Sequence, residues 1–157
     1  CALRWNNIDF KNHIITVDST IIRIKNENNK WIYKIGPPKT THSKRDIPIT
    51  DNLYQLLTAE FSNKKSPYIV SSQESFLNIR TFEYRYHKLL NDADLYPHHF
   101  HTFRHTFATR CIESGVDIKT LSEILGHSSV SFTLNTYVHP SFQEKCIQME
   151  KLNNLTG

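Results

Sequence analysis

The chain has few of the residues that mark fibrous, low-complexity or membrane-spanning proteins. Its 157 residues include only four glycines, six prolines and one methionine. These counts exclude a collagen-like or Pro/Gly-rich low-complexity protein. No apolar stretch approaches the roughly 18 residues that a transmembrane helix needs, and the first residues, with Arg4 and Trp5, do not form a signal peptide. We therefore expect no membrane segment.

Cysteines are also few. Cys1, Cys111 and Cys146 are odd in number, lie far apart and form no CxxC pair. Disulfide frameworks and structural zinc sites use closely spaced or paired cysteines. The cysteine pattern therefore predicts reduced thiols in a cytoplasmic compartment, and we expect no metal and no other cofactor.

The chain does have a core-forming composition and a surplus of positive charge. Hydrophobic residues make up 38% of it and include nine phenylalanines and seven tyrosines, which excludes wholesale disorder. The length is that of a single domain. The net charge is +4 and the isoelectric point is about 9.0. A protein with this balance is a candidate for binding an anionic partner such as nucleic acid.

The first third of the chain has the pattern of β-strands. Residues 13–24 are rich in Ile, Thr and Val, residues 31–35 alternate large apolar side chains with others, and a polar cluster at 26–29 between them predicts a hairpin. Residues 45–49 form a third short strand, which Pro48 confines to a sheet edge. We expect a small three-stranded antiparallel sheet.

The period changes to that of helices after residue 50, which predicts an α+β, mainly helical protein. Asp117 and Ser128 or Ser129 are predicted amino-terminal caps, and Gly126 suits a left-handed helix end. The predicted later helices span residues 78–91, 101–114, 118–125, 130–137 and 142–155. The predicted inward-facing side chains of the first two helices are Leu53, Leu56, Leu57, Phe61, Phe82, Tyr86, Leu89 and Leu90.

Four polar residues in the second half could act together on a phosphate. His101 and Arg104 are three residues apart, so a helix presents the imidazole and the guanidinium side by side. Arginine is a fork suited to two oxygens of one phosphate. His127 directly follows the predicted helix end, where its side chain can turn into a cleft, and Tyr137 lies ten residues later.

Other interpretations of these residues stay open on the pattern alone. Residues 117–139 also resemble a helix-turn-helix, which would make the protein a DNA-binding regulator without chemistry. However, residues 130–137 offer few long side chains for reading bases. Tyr137 shares a helical side with Val130 and Leu134 and could be a core residue. His98, His99, His101 and His105 could suggest a metal site, but their spacing in a loop before a helix does not fit a set of metal ligands.

Several segments together resemble the tyrosine recombinase (phage integrase) family. They are His-Thr-Phe-Arg-His-Thr-Phe-Ala-Thr at 101–109, Leu-Gly-His-Ser-Ser at 125–129 and Tyr-x-His at 137–139. Residues 2–9 and Lys39, which lies in a predicted hairpin before Ile47 and Pro48, also match the family pattern. The resemblance covers nearly the whole chain, with the segments in the expected order and spacing.

This resemblance implies metal-free cleavage and rejoining of double-stranded DNA through a 3′-phosphotyrosyl intermediate. Tyr137 would be the nucleophile, and Arg104 would clamp the phosphate. His101 would assist proton transfer from the tyrosine, and His127 would hydrogen-bond the phosphate. Lys39 would protonate the 5′ leaving oxygen. A recombinase-derived protein that binds DNA without cleaving it is the alternative within the same family.

The resemblance also implies that residues 1–157 are a fragment of a catalytic domain. The first arginine of the family lies in a G-x-R-x-x-E-like stretch that would precede residue 1, and Arg4 does not replace it. A separate core-binding domain would also be missing, so we expect the fragment to be inactive alone. The full-length protein is expected to act as a homotetramer on paired DNA sites in the bacterial cytoplasm, on the nucleoid. The tail at 142–155 is expected to dock on a neighbouring subunit.

Overall fold

The computed structural model describes residues 1–72, 75–138 and 141–151, and it confirms the expected α+β fold. Short strands dominate the first third of the chain, and helices dominate the rest. The strands are β1 (Ile8–Asp9), β2 (Ile14–Val17), β3 (Thr20–Lys25), β4 (Trp31–Gly36), β5 (Arg45–Pro48), β6 (Ser71–Ser72) and β7 (Ser75–Phe76). The helices are α1 (Asp51–Ser62), α2 (Ile79–Asp92), α3 (His101–Glu113), α4 (Ile118–Leu125), α5 (Val130–Tyr137) and α6 (Phe142–Glu150).

A three-stranded antiparallel sheet lies near the amino terminus, in the order β1-β2-β5. Ile15 in the central strand pairs with Ile8 on one side and with Ile47 on the other. Pro48 is in the edge strand β5, as its missing N–H requires.

The membership of this sheet differs from the sequence-based expectation, which was wrong to treat residues 13–24 as one strand. The segment is interrupted at Asp18 and Ser19, after which β3 pairs with β4 as a separate two-stranded ribbon. The third strand of the main sheet is β1 instead. It is joined to β2 by a tight turn in which the Asp9 carboxylate accepts the backbone N–H groups of Lys11 and Asn12, both at 2.9 Å. A two-residue strand is too short to show an alternating pattern.

Helix α1 packs on this sheet and closes the first core. Trp5, Ile8, Ile15, Ile49 and Leu57 are buried there. Of the predicted inward-facing residues of α1, Leu57 is buried and Phe61 packs partly against the core, whereas Leu53 and Leu56 are exposed, so the prediction was wrong for these two. The small sheet offers the helix only a narrow line of contact.

Helices α3, α4 and α5 form a second core around Ala108, Leu121 and Leu125, with Tyr137 packed against its edge. The predicted caps of α4 are confirmed. The Asp117 carboxylate accepts the backbone N–H of Thr120 at 2.8 Å, and Gly126 ends the helix in the left-handed conformation. Ser129 caps α5, accepting the N–H of Ser131 at 3.2 Å.

The remaining helices carry more exposed apolar surface. In α2, Tyr86 and Leu90 are buried as expected, whereas Leu89 is exposed, so its predicted inward position was wrong. Phe142, Ile147 and Met149 of α6 are exposed. The predicted helix stop at 139–140 and the end of the tail at 152–155 lie outside the described residues. Within the described ranges, no helix combines the length and apolar character of a membrane span.

Candidate active site

Two arginines from distant parts of the chain meet at the carboxyl end of α4. Arg45 of β5 donates from Nε to the Ile124 carbonyl oxygen at 2.7 Å and from Nη1 to the Ser43 carbonyl oxygen at 3.0 Å. Arg104 of α3 donates from Nη2 to the Leu125 carbonyl oxygen at 2.5 Å. The last carbonyls of a helix lack partners within the helix and carry partial negative charge. The end of α4 therefore holds both guanidinium groups side by side.

Gly126 makes this approach possible. Its φ of 71° lies in the left-handed region, where glycine carries no steric penalty. A Cβ atom at this position would stand 2.9 Å from Nη1 and 3.2 Å from Cδ of Arg45, so the arginine side chain would have to shift. Glycine at the end of α4 therefore avoids backbone strain and leaves room for Arg45.

His127 follows directly and is oriented by α5. Its Nδ1 lies 2.7 Å from Oγ1 of Thr133, whose side chain is fully buried, and its ring meets the edge of Phe132 at a centroid distance of 4.7 Å. Among the hydrogen bonds of the described residues, none involves Nε2 of His127. This nitrogen is therefore the one free to meet another molecule.

Among the described residues, the charges that act on His127 are positive. Burial lowers the pKa of His127, and the charges of Arg104, Arg45 and His101 lower it further. Burial also lowers the pKa of Arg45, and the neighbouring Arg104 adds to the effect. Arginine nonetheless stays protonated at any physiological pH. The site is thus a partly buried cluster of positive charge beside a neutral imidazole, an environment that favours an anion.

Tyr137 lies close to the histidines of α3. It is the last residue of α5, and it is partly buried against the second core. Its ring lies 5.6 Å from the ring of His105, which in turn meets the ring of His101 edge-on at 4.7 Å. A row of two imidazoles and a phenol therefore runs along α3 to the end of α5.

The structure brings together four of the five residues singled out in the sequence. His101, Arg104 and His127 interact electrostatically, and Tyr137 is linked to His101 through His105. Lys39 is exposed in the loop after β4. No hydrogen bond or ion pair among the described residues joins it to the other four.

Arg45 was not among the catalytic residues predicted from the sequence. It is one of several cations in a polar stretch of the chain, and its partner Ile124 is 79 residues away. No local pattern marks it. The two arginines and His101 line a cleft of about 460 Å³ together with apolar side chains: Ile47, Phe100, Phe103, Phe107, Ile124 and Leu125.

The histidine-rich segment before α3 was the other candidate for chemistry. Across the described ranges, no group of three or more His, Cys, Asp or Glu side chains is arranged to hold a metal ion. The ring of His98 contacts that of Tyr96, and the rings of His101 and His105 meet edge-on.

The comparison with known proteins confirms the resemblance found in the motifs. The model of the phage integrase family matches residues 1–144, and the chain belongs to this family. It is 34% identical to a tyrosine recombinase XerC-like protein of Caldanaerobacter subterraneus subsp. tengcongensis, covering 98% of this chain and 44% of that protein. It is 29% identical to the transposase from transposon Tn916 of Enterococcus faecalis, covering 97% and 41%. The chain thus spans less than half the length of these relatives.

Solved structures show the same relationship in three dimensions. The integrase of transposon Tn1549 in complex with a circular intermediate DNA is 29% identical, with a TM-score of 0.73 over 97% of this chain and 52% of that one. The same integrase with transposon right-end DNA is 30% identical, with a TM-score of 0.71 over 98% and 53%. The XerA recombinase shares the fold at a TM-score of 0.66 and 22% identity.

Proposed function

We propose that this chain is the catalytic part of a site-specific DNA recombinase that cuts and rejoins strands through Tyr137. The observation that carries the proposal is the cluster of Arg104, His127 and His101, which lies on the same three-helix core as the tyrosine. Phosphoryl transfer depends mainly on positioning and on positive groups around the phosphate oxygens. The cluster provides such groups without a carboxylate among the charges that act on His127.

In the proposed reaction, the Tyr137 oxygen attacks a backbone phosphorus of DNA, and the bond from phosphorus to the 5′ oxygen breaks. The products are a 3′-phosphotyrosyl link and a 5′-hydroxyl, and attack by a 5′-hydroxyl of the same or a partner strand reverses the step. The phenol must lose its proton to react as a nucleophile. His101 assists this transfer, and Lys39 supplies the proton that the departing 5′ oxygen takes up.

Arg104 and His127 hold the phosphate in this scheme. The lowered pKa keeps His127 neutral at pH 7, so Nδ1 can accept a hydrogen bond from the Thr133 hydroxyl while Nε2–H donates to a phosphate oxygen. Arg104 has one Nη engaged with Leu125 and presents its remaining donors to the same oxygens.

The assembly is part of the proposal. Residues 1–157 act as a catalytic-domain fragment whose full-length protein binds double-stranded DNA as a homotetramer on paired sites, in the bacterial cytoplasm and on the nucleoid. The DNA complexes of the Tn1549 integrase support a DNA partner. The exposed Phe142, Ile147 and Met149 of α6 support docking of the tail on a neighbour. Deleting residues 141–157 should then weaken assembly on DNA and leave the domain folded. If the shortened domain unfolds, the tail packs on its own domain and does not dock on a neighbour.

The decisive experiment is Tyr137→Phe in a full-length protein that contains this chain. On a nicked suicide substrate, the wild type should form a protein–DNA adduct that survives denaturation, and the variant should form none. The ring and its packing against Ala108, Leu121 and Leu125 are kept, so DNA affinity and folding should not change. An adduct in the variant would overturn the role of Tyr137. Absence of an adduct in the wild type would favour a protein that only binds DNA.

A further inference from the structure

Arg45 is held by backbone carbonyls and lies beside a second arginine. Its guanidinium is partly buried, and both described acceptors are neutral backbone carbonyls, those of Ile124 and Ser43. The single salt bridge among the described residues joins Arg110 to Glu113, far along α3. Partial burial and the neighbouring Arg104 both disfavour the charge of Arg45, and the partial negative charge at the end of α4 offsets this effect. The carbonyl that Arg45 binds in α4 lies three residues before His127, so its position points to a role in the site.

We propose that Arg45 is a positioning residue of the site, which ties the turn carrying His127 to strand β5 and places a fixed positive charge beside that imidazole. This role is distinct from touching the phosphate. It acts on His127, and only its effect on strand cleavage rests on the function proposed above.

The turn supports this role in its details. The backbone N–H of His127 donates to the Ser122 carbonyl oxygen at 3.0 Å, which closes the end of α4. The Arg45 side chain contacts the same helix end. It packs against Gly126, and its Nε donates to the Ile124 carbonyl oxygen. Thr133 holds the imidazole from α5. Without Arg45, no described side-chain hydrogen bond joins this turn to the sheet.

Two substitutions separate the geometric and electrostatic parts of the role. Arg45→Gln removes the charge and one of the two donors. Arg45→Lys keeps the charge on a single nitrogen and loses the planar fork that meets two carbonyls at once. The other charged groups that face His127 are Arg104 and His101, both from α3, and they are unchanged in either variant. Arg110→Gln, on the exposed face of α3, is the matched control.

The first measurement is the titration of the His127 imidazole by NMR in this chain without DNA, with the resonance of His13, stacked on Tyr54, as a check of the fold. Arg45→Gln should move the His127 midpoint to higher pH, since a repelling charge has been removed. Arg45→Lys and Arg110→Gln should leave the midpoint where it is in the wild type. A role in stability alone predicts a lower unfolding temperature with an unchanged midpoint. That result in a folded Arg45→Gln variant would overturn the proposal.

The second measurement is the rate of adduct formation against pH in a full-length protein that contains this chain. Both Arg45 variants should cleave more slowly, by up to about 10²-fold, because a displaced catalytic group is that costly. Arg110→Gln should cleave like the wild type. If Arg45→Gln does not fold, the test rests on Arg45→Lys. Adduct formation by Arg45→Lys at the wild-type rate would then overturn the positioning role. A wild type without adduct would instead overturn the proposed function and leave the titration as the test of Arg45.

Discussion

Gly115 and Gly126 share a left-handed backbone but differ in their surroundings. Their φ angles are 79° and 71°, yet a Cβ atom at Gly115 would meet nothing within 4 Å, whereas one at Gly126 would meet the Arg45 side chain at 2.9 Å. The two glycines therefore follow their helices in the same left-handed conformation, but only Gly126 packs against an arginine side chain. This pair offers an internal control for the packing of the site.

The first prediction follows from that difference. Gly115→Ala should lower the free energy of unfolding by about 1–2 kcal/mol, the cost of a left-handed alanine. Gly126→Ala should lower it further, since it also displaces Arg45 from the Ile124 carbonyl, and charged hydrogen bonds contribute about 1.5–3 kcal/mol. Urea unfolding of both variants measures the difference. Equal decreases in the free energy of unfolding would show that the Arg45 side chain moves away from the added methyl group without a cost in stability.

The second prediction concerns the phosphate clamp. Arg104→Ala should leave the nucleophile in place and reduce the rate of adduct formation by roughly 10²–10³-fold, the scale for losing one preorganised donor. Arg110→Ala changes an arginine on the same helix whose described partner is Glu113, and it should cleave like the wild type. The measurement is single-turnover cleavage of a suicide substrate by a full-length protein. Equal rates in the two variants would remove Arg104 from the mechanism.

The third prediction is a pH dependence of stability. The pKa of His127 is lowered in the folded protein, first by burial and then by Arg104, Arg45 and His101. The unfolded chain, with a pKa near 6.5, therefore binds the proton more readily. The contribution of the neutral imidazole is fully present above about pH 6.5 and is lost as the pH falls through the folded pKa. His127→Gln should be less pH-dependent than the wild type over this interval when the free energy of unfolding is measured by urea titration.

Identical pH profiles for the wild type and His127→Gln would contradict this prediction. They would show that the imidazole is as easily protonated in the folded protein as in the unfolded chain, and that the positive cluster exerts no net effect on it.

The fourth prediction concerns DNA affinity. With a net charge of +4, this chain should bind duplex DNA weakly and mainly through phosphates. Its affinity should fall steeply as salt rises, because each phosphate contact releases condensed counterions. Fluorescence anisotropy at low and at physiological salt measures this slope. An affinity that does not change with salt would contradict binding through phosphates.

Local chemistry determined much of the helical region directly from the sequence. Asp117 and Ser129 accept backbone N–H groups from three and two residues ahead, and Gly126 supplies a left-handed residue, so each helix end depends on residues within a few positions. The motif around His101 and Arg104 likewise needs only the helical spacing to bring the two side chains together.

Only the tertiary structure decided which surfaces meet. The division of residues 13–24 between two sheets depends on whether each half finds β1, β4 or β5 as its neighbour, and strand pairing is not a local property. The exposure of Leu56 and Leu89 follows from how little surface packs against α1 and α2. Arg45 enters the site because sheet and helix bundle dock across 79 residues of chain. The sequence by itself thus determined the family motif and the helix ends, whereas docking of the two cores placed the second arginine beside His127, since burial and charge at that site depend on the whole fold.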